Sequence, residues 1–221
     1  ERRYASVYTK PDVTRNRGPL LTLAGSHDAA GVLLSGNAYY RHIRTSTVNG
    51  DLNDDALVDD APNGLVKRTG STQTSAGLSG QASRAGALAA GAAFDASRVD
   101  FRQSAQFGTV TPDRGIAPVA VFDGARAVDL GGRTRTWSVY AMDTLRLRDG
   151  LHVTLSGRYN RTAVHNRDRI HPGGGSGSLD GDDRYGRFNP AAGITWSPSR
   201  TLHAYAGYNE GMRAPTAIEL T

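Results

Sequence analysis

Apolar and polar residues alternate one by one along much of the chain. In residues 151–163, Leu151, Val153 and Leu155 occupy every second position, and Gly157 and Tyr159 continue the same row. A period of two is the spacing of a β-strand, whose successive side chains point to opposite faces. The other row consists of His152, Thr154, Ser156, Arg158 and Asn160. A strand of a soluble sandwich can also alternate, but this strongly polar row favours a strand that faces a wet barrel interior.

A second alternating stretch precedes this strand and joins it through a tight turn. Its apolar row consists of Trp137, Val139, Ala141, Leu145 and Leu147. Asp143 interrupts that row, and we expect it near the headgroup boundary, where a charge on an outer face costs less than at the midplane. The two strands meet at Asp149 and Gly150, and Asp-Gly between alternating runs is a strong hairpin signal.

Further alternating stretches predict further hairpins. One row contains Leu34, Gly36, Ala38 and Tyr40, and another contains Leu88, Ala90, Ala92, Phe94 and Ala96. Short turns are predicted near residues 28–31, 83–87, 148–150 and 197–200, and long polar connections near residues 49–64, 108–125 and 171–184. Short and long connections therefore alternate, as in bacterial outer-membrane barrels. The sequence predicts an all-β fold with about eight antiparallel strands in an up-and-down transmembrane β-barrel.

Composition excludes several classes of protein. Only 38% of the 221 residues are hydrophobic, and no window approaches the roughly 20 apolar residues of a transmembrane helix, which excludes a helical inner-membrane protein. The absence of cysteine excludes a disulfide framework and a thiolate metal site. The net charge is +5, but the arginines are scattered along the chain and no nucleic-acid-binding motif accompanies them. We therefore expect no nucleic-acid partner.

One acidic run has the spacing that begins a calcium-binding loop. Asp51, Asn53 and Asp55 match the first ligand positions of an EF-hand, but Ala56 stands where that loop needs glycine. A solvated surface loop is the better interpretation.

The remaining polar groups indicate no reaction chemistry. His165 and His171 lie near Asp168, but their spacing matches no known ligand pattern. No Ser-His-Asp or paired-carboxylate constellation is evident. We expect no catalytic residue, no cofactor and no metal site, and therefore not an enzyme.

Several aromatic residues lie close to predicted strand ends, namely Trp137, Tyr140, Trp196, Tyr205 and Tyr208. Barrels carry girdles of aromatic residues at both membrane interfaces. Aromatic residues also favour strands in any environment. Both interpretations stay open at the level of the sequence.

The last stretch of the chain carries a motif of unlike residues in a fixed order. An Asn-Pro pair opens a strand at Asn189, a short turn follows, and an aromatic strand runs into the motif. The motif consists of Asn209, Glu210, Gly211, Arg213, Ala214, Pro215, Glu219 and Leu220. Glycine permits a corner and proline cannot donate to a central ladder, so the strand must end or kink there. Arg213 and Glu219 are placed to form an ion pair.

This motif resembles the mid-barrel signature of TonB-dependent outer-membrane receptors. The resemblance is sharpest over residues 133–220. It implies that residues 1–221 form part of a large outer-membrane barrel domain, with the plug domain absent from this chain. It also implies localisation in the bacterial outer membrane, contact with membrane lipid, and energy-coupled uptake of a scarce nutrient such as a ferric siderophore. TonB would engage the absent plug, and a small metal chelate would be the ligand.

Two other interpretations of the pattern remain open. The chain begins at Glu1 and stops at Thr221, just after the signature, so we expect a segment of a longer protein. A complete eight-stranded barrel, acting as an adhesin or structural protein, would instead need first and last strands that pair with each other. A soluble β-sandwich that serves as a binding module would bury its apolar rows between two sheets.

Overall fold

Nine β-strands make up the regular structure of the described part of the chain. The computed structural model describes residues 9–53, 62–84 and 88–220. The strands are β1 (Asp12–Arg17), β2 (Leu20–Ala29), β3 (Val32–Leu52), β4 (Gly64–Arg84), β5 (Leu88–Val110), β6 (Ile116–Arg148), β7 (Leu151–Asp168), β8 (Gly181–Trp196) and β9 (Ala204–Asn209). Across these described ranges, we find no helix with the length and apolar character needed to span a membrane.

All nine strands belong to one antiparallel sheet that follows the order of the sequence. Both β1 and β2 pair with β3, so they occupy one strand position, interrupted at Gly18 and Pro19. Proline has no N–H to give to the ladder, although its carbonyl still accepts a hydrogen bond from the His42 N–H at 3.1 Å. The nine segments therefore fill eight positions in the sheet, which confirms the predicted strand number.

The short turns lie together at one end of the sheet. β2 and β3 are joined by Ala30 and Gly31, whose φ angles of 55° and 82° give the primed turn that suits a two-residue hairpin. Gly150 has a φ of 72° at the predicted Asp-Gly turn between β6 and β7. Residues 85–87 lie outside the described ranges, but β4 and β5 are paired up to Ser83 and Ala89 beside them. The turns predicted at residues 28–31 and 148–150 are confirmed.

One predicted long connection is wrong. Residues 108–125 were expected to form a polar loop, whereas β5 continues to Val110 and β6 begins at Ile116. The register shifts between Gln103 and Ala105 and again between Gln106 and Gly108. Such bulges absorb extra residues and allow a proline, here opposite Gly108, to sit in a paired strand. Glycine and proline therefore mark irregular pairing here, not the end of the strands.

The register separates an apolar face from a polar face. Residues directly opposite each other in antiparallel strands share a face. Trp137 of β6 lies opposite Phe94, and the same row continues through Leu78, Ala38 and Leu23. Trp137 is 62% exposed and Leu78 is 59% exposed. We call this the outer face and the opposite one the inner face. An apolar, exposed outer face is what a lipid-facing barrel wall requires.

Asp143 lies further inside the apolar row than the sequence suggested. It is opposite Leu88 on one side and Leu155 on the other, and Ala141 and Leu145 flank it along β6. Its Oδ1 atom is buried and has no hydrogen-bond partner among the described residues. The structure therefore places this carboxyl within the apolar band and not at its boundary, because the band continues on the turn side of Asp143.

The topology excludes the two alternative architectures. In the described part of the chain, β9 does not pair with β1 or β2, so the sheet is open and not a closed eight-stranded barrel. All described strands belong to one sheet, whereas a sandwich needs two. Leu155 and Tyr159 are 49% and 44% exposed on the outer face, so this row is not buried in a water-soluble core.

Candidate functional site

The chain leaves the sheet at the end of β9 and crosses its inner face. β9 ends at Asn209, opposite Ala191, although β8 extends on to Gly181. The Glu210 N–H donates to the carbonyl of Pro190 at 3.0 Å, and the Glu210 carboxylate accepts from Arg187 at 2.9 Å. The strand therefore ends before Gly211 and Pro215, as predicted. We call residues 210–219 the crossing segment.

The crossing segment is anchored near the long-connection end of the sheet. Ala217 is only 3% exposed. The side-chain amide of Asn166 donates to the Ala217 carbonyl at 2.8 Å. The Ala217 methyl group lies against Gly132 of β6, where a Cβ atom would collide with it. A glycine in the wall thus provides the room in which the segment docks.

A bidentate ion pair holds the segment in its bent conformation. The Arg213 guanidinium donates to both carboxylate oxygens of Glu219, at 2.8 and 2.6 Å. The Thr216 N–H also donates to Glu219 Oε2 at 2.8 Å. The pair expected between Arg213 and Glu219 is therefore present. The two hydrogen bonds are parallel and charge-assisted. They therefore fix the relative orientation of the two side chains and strengthen the ion pair.

The ion pair predicts an acid-sensitive segment. The hydrogen bonds from Arg213 and then from Thr216 lower the pKa of Glu219 from 4.5 to about 2. Because the folded-state pKa is depressed, the stabilisation is complete above about pH 4.5 and is lost as the pH falls towards 2. We expect the protection of the crossing segment's amides, relative to their intrinsic exchange rate at each pH, to fall only below about pH 4.5 in the wild type.

The matched variant for this titration is Glu219→Gln. The crossing segment of this variant should exchange faster than that of the wild type already at neutral pH, because residue 219 carries no charge at any pH. Acidification should cause little further change that is attributable to this residue. A loss of wild-type protection between pH 7 and 5, equal in both proteins, would contradict the assignment.

A cavity of about 840 Å³ lies between the inner face and the crossing segment. Side chains from β4 to β8 line it on one side, and residues 210–218 line it on the other. At its centre, Arg158 Nε donates to Asn160 Oδ1 at 2.8 Å and Arg158 Nη2 donates to Ser138 Oγ at 2.9 Å. The Arg158 guanidinium also lies 5.7 Å from the ring centroid of Tyr140. The cavity therefore offers a cation that is held in place by hydroxyl, amide and aromatic groups.

Tyr140 is positioned by a second glycine of the wall. Its ring lies over Gly91, where a Cβ atom would come within 2.6 Å of the ring carbon that carries the hydroxyl. Its hydroxyl donates to Gln81 Oε1 at 2.9 Å. A tyrosine packed over a cross-strand glycine keeps both ring and hydroxyl on the inner face. Sequence alternation showed Tyr140 in a polar row, but not this packing.

The Gly-rich connection between β7 and β8 is folded around two carboxylates. Asp168 accepts from the N–H groups of Ile170, His171 and Leu179 at 2.8–3.1 Å. Asp180 accepts from the N–H of Gly173 at 2.7 Å and from that of Asp168 at 2.6 Å. Burial of Asp168 favours its neutral form, but the three N–H donors outweigh burial and lower its pKa. The long polar connection predicted near residues 171–184 is therefore a defined turn built on these two carboxylates.

The metal alternatives receive no geometric support. His165 Nδ1 lies 2.5 Å from Asp182 Oδ1, so it pairs across the strands and does not join His171. Asp51 pairs with Lys67 at 2.8 Å, and Asp55 lies outside the described residues. In the described ranges, no group of three or more His, Cys, Asp or Glu side chains is close enough to hold a metal ion.

The motif residues differ in what they do locally. Glu210, Arg213 and Glu219 form the ion pairs described above, and Ala214 and Pro215 line the cavity. A Cβ atom at Gly211 would meet nothing within 4 Å, and no positive φ is recorded there. The corner therefore does not require glycine at this position. Leu220 ends the described chain in a turn.

The five aromatic residues divide between the two faces. Trp137, Trp196 and Tyr208 lie on the outer face. Trp196 lies beside the short turns, and Trp137 lies at the end of the apolar band that is nearer the long connections. Tyr140 and Tyr205 alternate with them on the inner face. A girdle faces lipid at the membrane interface, so Tyr140 and Tyr205 do not belong to one. Tyr208 shares its cross-strand row with Leu155 and Asp143, inside the apolar band, which leaves Trp137 and Trp196 in positions that suit a girdle.

Comparison with known proteins agrees with this geometry. A family model described as TonB-dependent receptor-like β-barrel matches residues 2–221. The ferric citrate transporter FecA, in its unliganded form, superposes with a TM-score of 0.63 at 11% identity over 89% of this chain and 27% of its own. No curated protein matches the sequence.

Two further solved structures share the fold. The siderophore receptor PiuA from Acinetobacter baumannii gives a TM-score of 0.59 at 14% identity, over 90% of this chain and 32% of its own. The ferric-catecholate import receptor Fiu from E. coli K12, in its open form, gives 0.58 at 14% identity, over 92% and 37%. The chain thus spans 27–37% of the length of these three structures. The open antiparallel sheet, its two faces and the family match together show that this chain belongs to the TonB-dependent receptor β-barrel family.

Proposed function

We propose that this chain forms part of the wall of an outer-membrane receptor that imports a scarce nutrient as an anionic metal chelate, such as a ferric siderophore. The outer apolar face contacts membrane lipid, and the inner face belongs to the import path. A plug domain outside residues 1–221 engages TonB, which couples uptake to the proton gradient. The motif from Asn209 to Leu220 acts structurally, by turning the chain from the wall into the interior.

The observation that supports this proposal most directly is the cavity under the crossing segment, with Arg158 in its wall. Its lining is rich in hydroxyl and amide groups, and Arg158 supplies a positive charge that three side chains hold in place. Siderophores and citrate present oxygen-rich, negatively charged surfaces, and arginine binds carboxylates and similar oxyanions in a bidentate manner. The chemistry of the cavity is therefore complementary to that class of ligand.

Uptake measurements with an Arg158→Gln variant test the proposal. Cells that express the receptor containing this chain are supplied with radioactive iron as ferric citrate or as a ferric catecholate. We expect saturable uptake of at least one chelate that stops when the proton gradient is dissipated. Because a hydrogen bond to a charged group contributes about 1.5–3 kcal/mol, the variant should lose about tenfold or more in apparent affinity.

A matched variant at the other end of the same hairpin controls for loss of charge. Arg148→Gln removes one arginine beside the short turn, away from the cavity lining. It should leave uptake unchanged. Heat-modifiable migration on a gel verifies that both variants form the barrel. Uptake that is insensitive to the proton gradient would refute the proposed energy coupling, and equal uptake by the two variants would refute the role assigned to the cavity.

A further inference from the structure

A methionine interrupts the polar row of the inner face beside Arg158. On β6 that row contains Ser138, Tyr140 and Thr144, and Met142 stands between the last two. Met142 is 43% exposed. At this level β6 pairs with β5 on one side and with β7 on the other, so Met142 lies within the wall and not at an open edge. A large apolar side chain exposed on a wet inner face is informative, because strand alternation favours a polar residue there.

The other methionine of the chain lines the same cavity from the opposite side. The sequence contains two methionines. Met142 belongs to the wall and Met212 to the crossing segment, and both are part of the cavity lining. Methionine is flexible and polarisable, and its sulfur makes favourable contacts with the edges of aromatic rings. The fold therefore brings two such side chains from distant parts of the sequence to one cavity.

The groups around Met142 suit an aromatic ring that carries oxyanions. Tyr140 lies on the same face two residues away, and the Arg158 guanidinium is 5.7 Å from its ring centroid. Arginine stacks on aromatic rings and pairs with oxyanions through its N–H groups. Ser156 and Ala191 continue the row of Met142 across β7 and β8. Side chains as small as these leave room for a flat group.

We propose that this cavity selects an iron chelate whose iron-binding oxygens are carried by aromatic rings, a catecholate or phenolate, over an aliphatic chelate such as citrate. The ring oxygens pair with Arg158, and the ring itself contacts Tyr140 and the thioethers of Met142 and Met212. Citrate would satisfy the guanidinium but offers no ring to the two thioethers. The inference rests on the proposed function, because it names the ligand class of the same cavity.

Binding to the purified receptor tests the inference independently of transport. The receptor that contains this chain is kept in mild detergent, and equilibrium dialysis measures its affinity for radioactive iron as a ferric tris-catecholamide or as ferric citrate. The wild type should bind the catecholamide about tenfold more tightly than citrate. Met142→Ser restores the polar alternation of the inner face. It should weaken catecholamide binding about tenfold, because the thioether and its apolar surface are lost.

Two further variants control for the loss of an exposed apolar side chain. Leu33 also lies on the inner face and is 44% exposed, but it lies outside the described lining of the cavity. Leu33→Ser should therefore bind the catecholamide as the wild type does. Met142→Leu keeps most of the apolar volume and should recover the affinity to within about threefold of the wild type. Heat-modifiable migration on a gel verifies that each variant is folded.

The possible outcomes separate this inference from the proposed function. Equal affinity of Met142→Ser and the wild type for the catecholamide would overturn the inference, and so would an equal loss in Leu33→Ser. Tighter binding of ferric citrate than of the catecholamide by the wild type would also overturn it, while the proposed function would stand. If the wild type binds neither iron complex, the ligand class in the proposed function is wrong as well.

Discussion

Replacing Ala92 with arginine is expected to destabilise the folded receptor by about 2–4 kcal/mol, because it places a charge near the middle of the lipid-facing band. Ala92 lies on the outer face of β5, opposite Gly80 on one side and Val139 on the other. None of these neighbours can pair with a guanidinium. Urea unfolding of the receptor in lipid vesicles, followed by the loss of heat-modifiable migration, measures the free energy of unfolding.

The adjacent residue supplies the control for this prediction. Ala93 has the same side chain but lies on the inner face, opposite Ser79 and Ser138. Ala93→Arg should therefore cost clearly less than Ala92→Arg, because its guanidinium reaches water and polar groups. An equal loss in the two variants would mean that the faces are not separated into lipid and aqueous sides. A larger loss at Ala93 would reverse the assignment of inner and outer faces.

The sequence predicted most of the wall because a strand that separates two media has to alternate. Leu155 and Ser156 differ in polarity since one meets lipid and the other the interior, and the register of β7 confirms that division. The tight turns were equally readable, because Gly150 and Gly31 occupy positions that demand a positive φ. Both signals lie in short stretches of sequence, because strand alternation and turn conformation depend on residues that are close together in the chain.

The sequence could not predict what depends on distant packing. Residues 111–125 are rich in Gly, Pro and Asp and resemble a loop, but pairing with β5 and two bulges draws most of them into a strand. Asp168 and Asp180 shape their turn through backbone N–H groups that no motif marks. The cavity depends on a contact between Ala217 and Gly132, which are far apart in sequence. Only the fold brings such residues together.

Gly132→Val is expected to displace the crossing segment from the inner face. The new side chain would collide with the Ala217 methyl group and would place its Cβ atom within 2.8 Å of Val99 Cγ1. Overpacking of this kind costs about 1–3 kcal/mol. Loss of the hydrogen bond from Asn166, which is only 3% exposed, adds about 1–3 kcal/mol if its amide is left unpaired. Together these costs exceed the free energy with which the contacts of Ala217 hold the crossing segment on the inner face.

Hydrogen exchange of the crossing segment, measured by mass spectrometry on the folded receptor, should accelerate at least tenfold in Gly132→Val while the strands stay protected. Gly131→Val is the matched control, because this neighbour points to the outer face, where a Cβ atom approaches only the flexible end of Arg169 at 2.9 Å. It should leave exchange of the segment unchanged. If the segment remains protected in Gly132→Val, its docking does not depend on the space that this glycine provides. If both variants accelerate exchange equally, the effect comes from valine in β6 and not from the contact with Ala217.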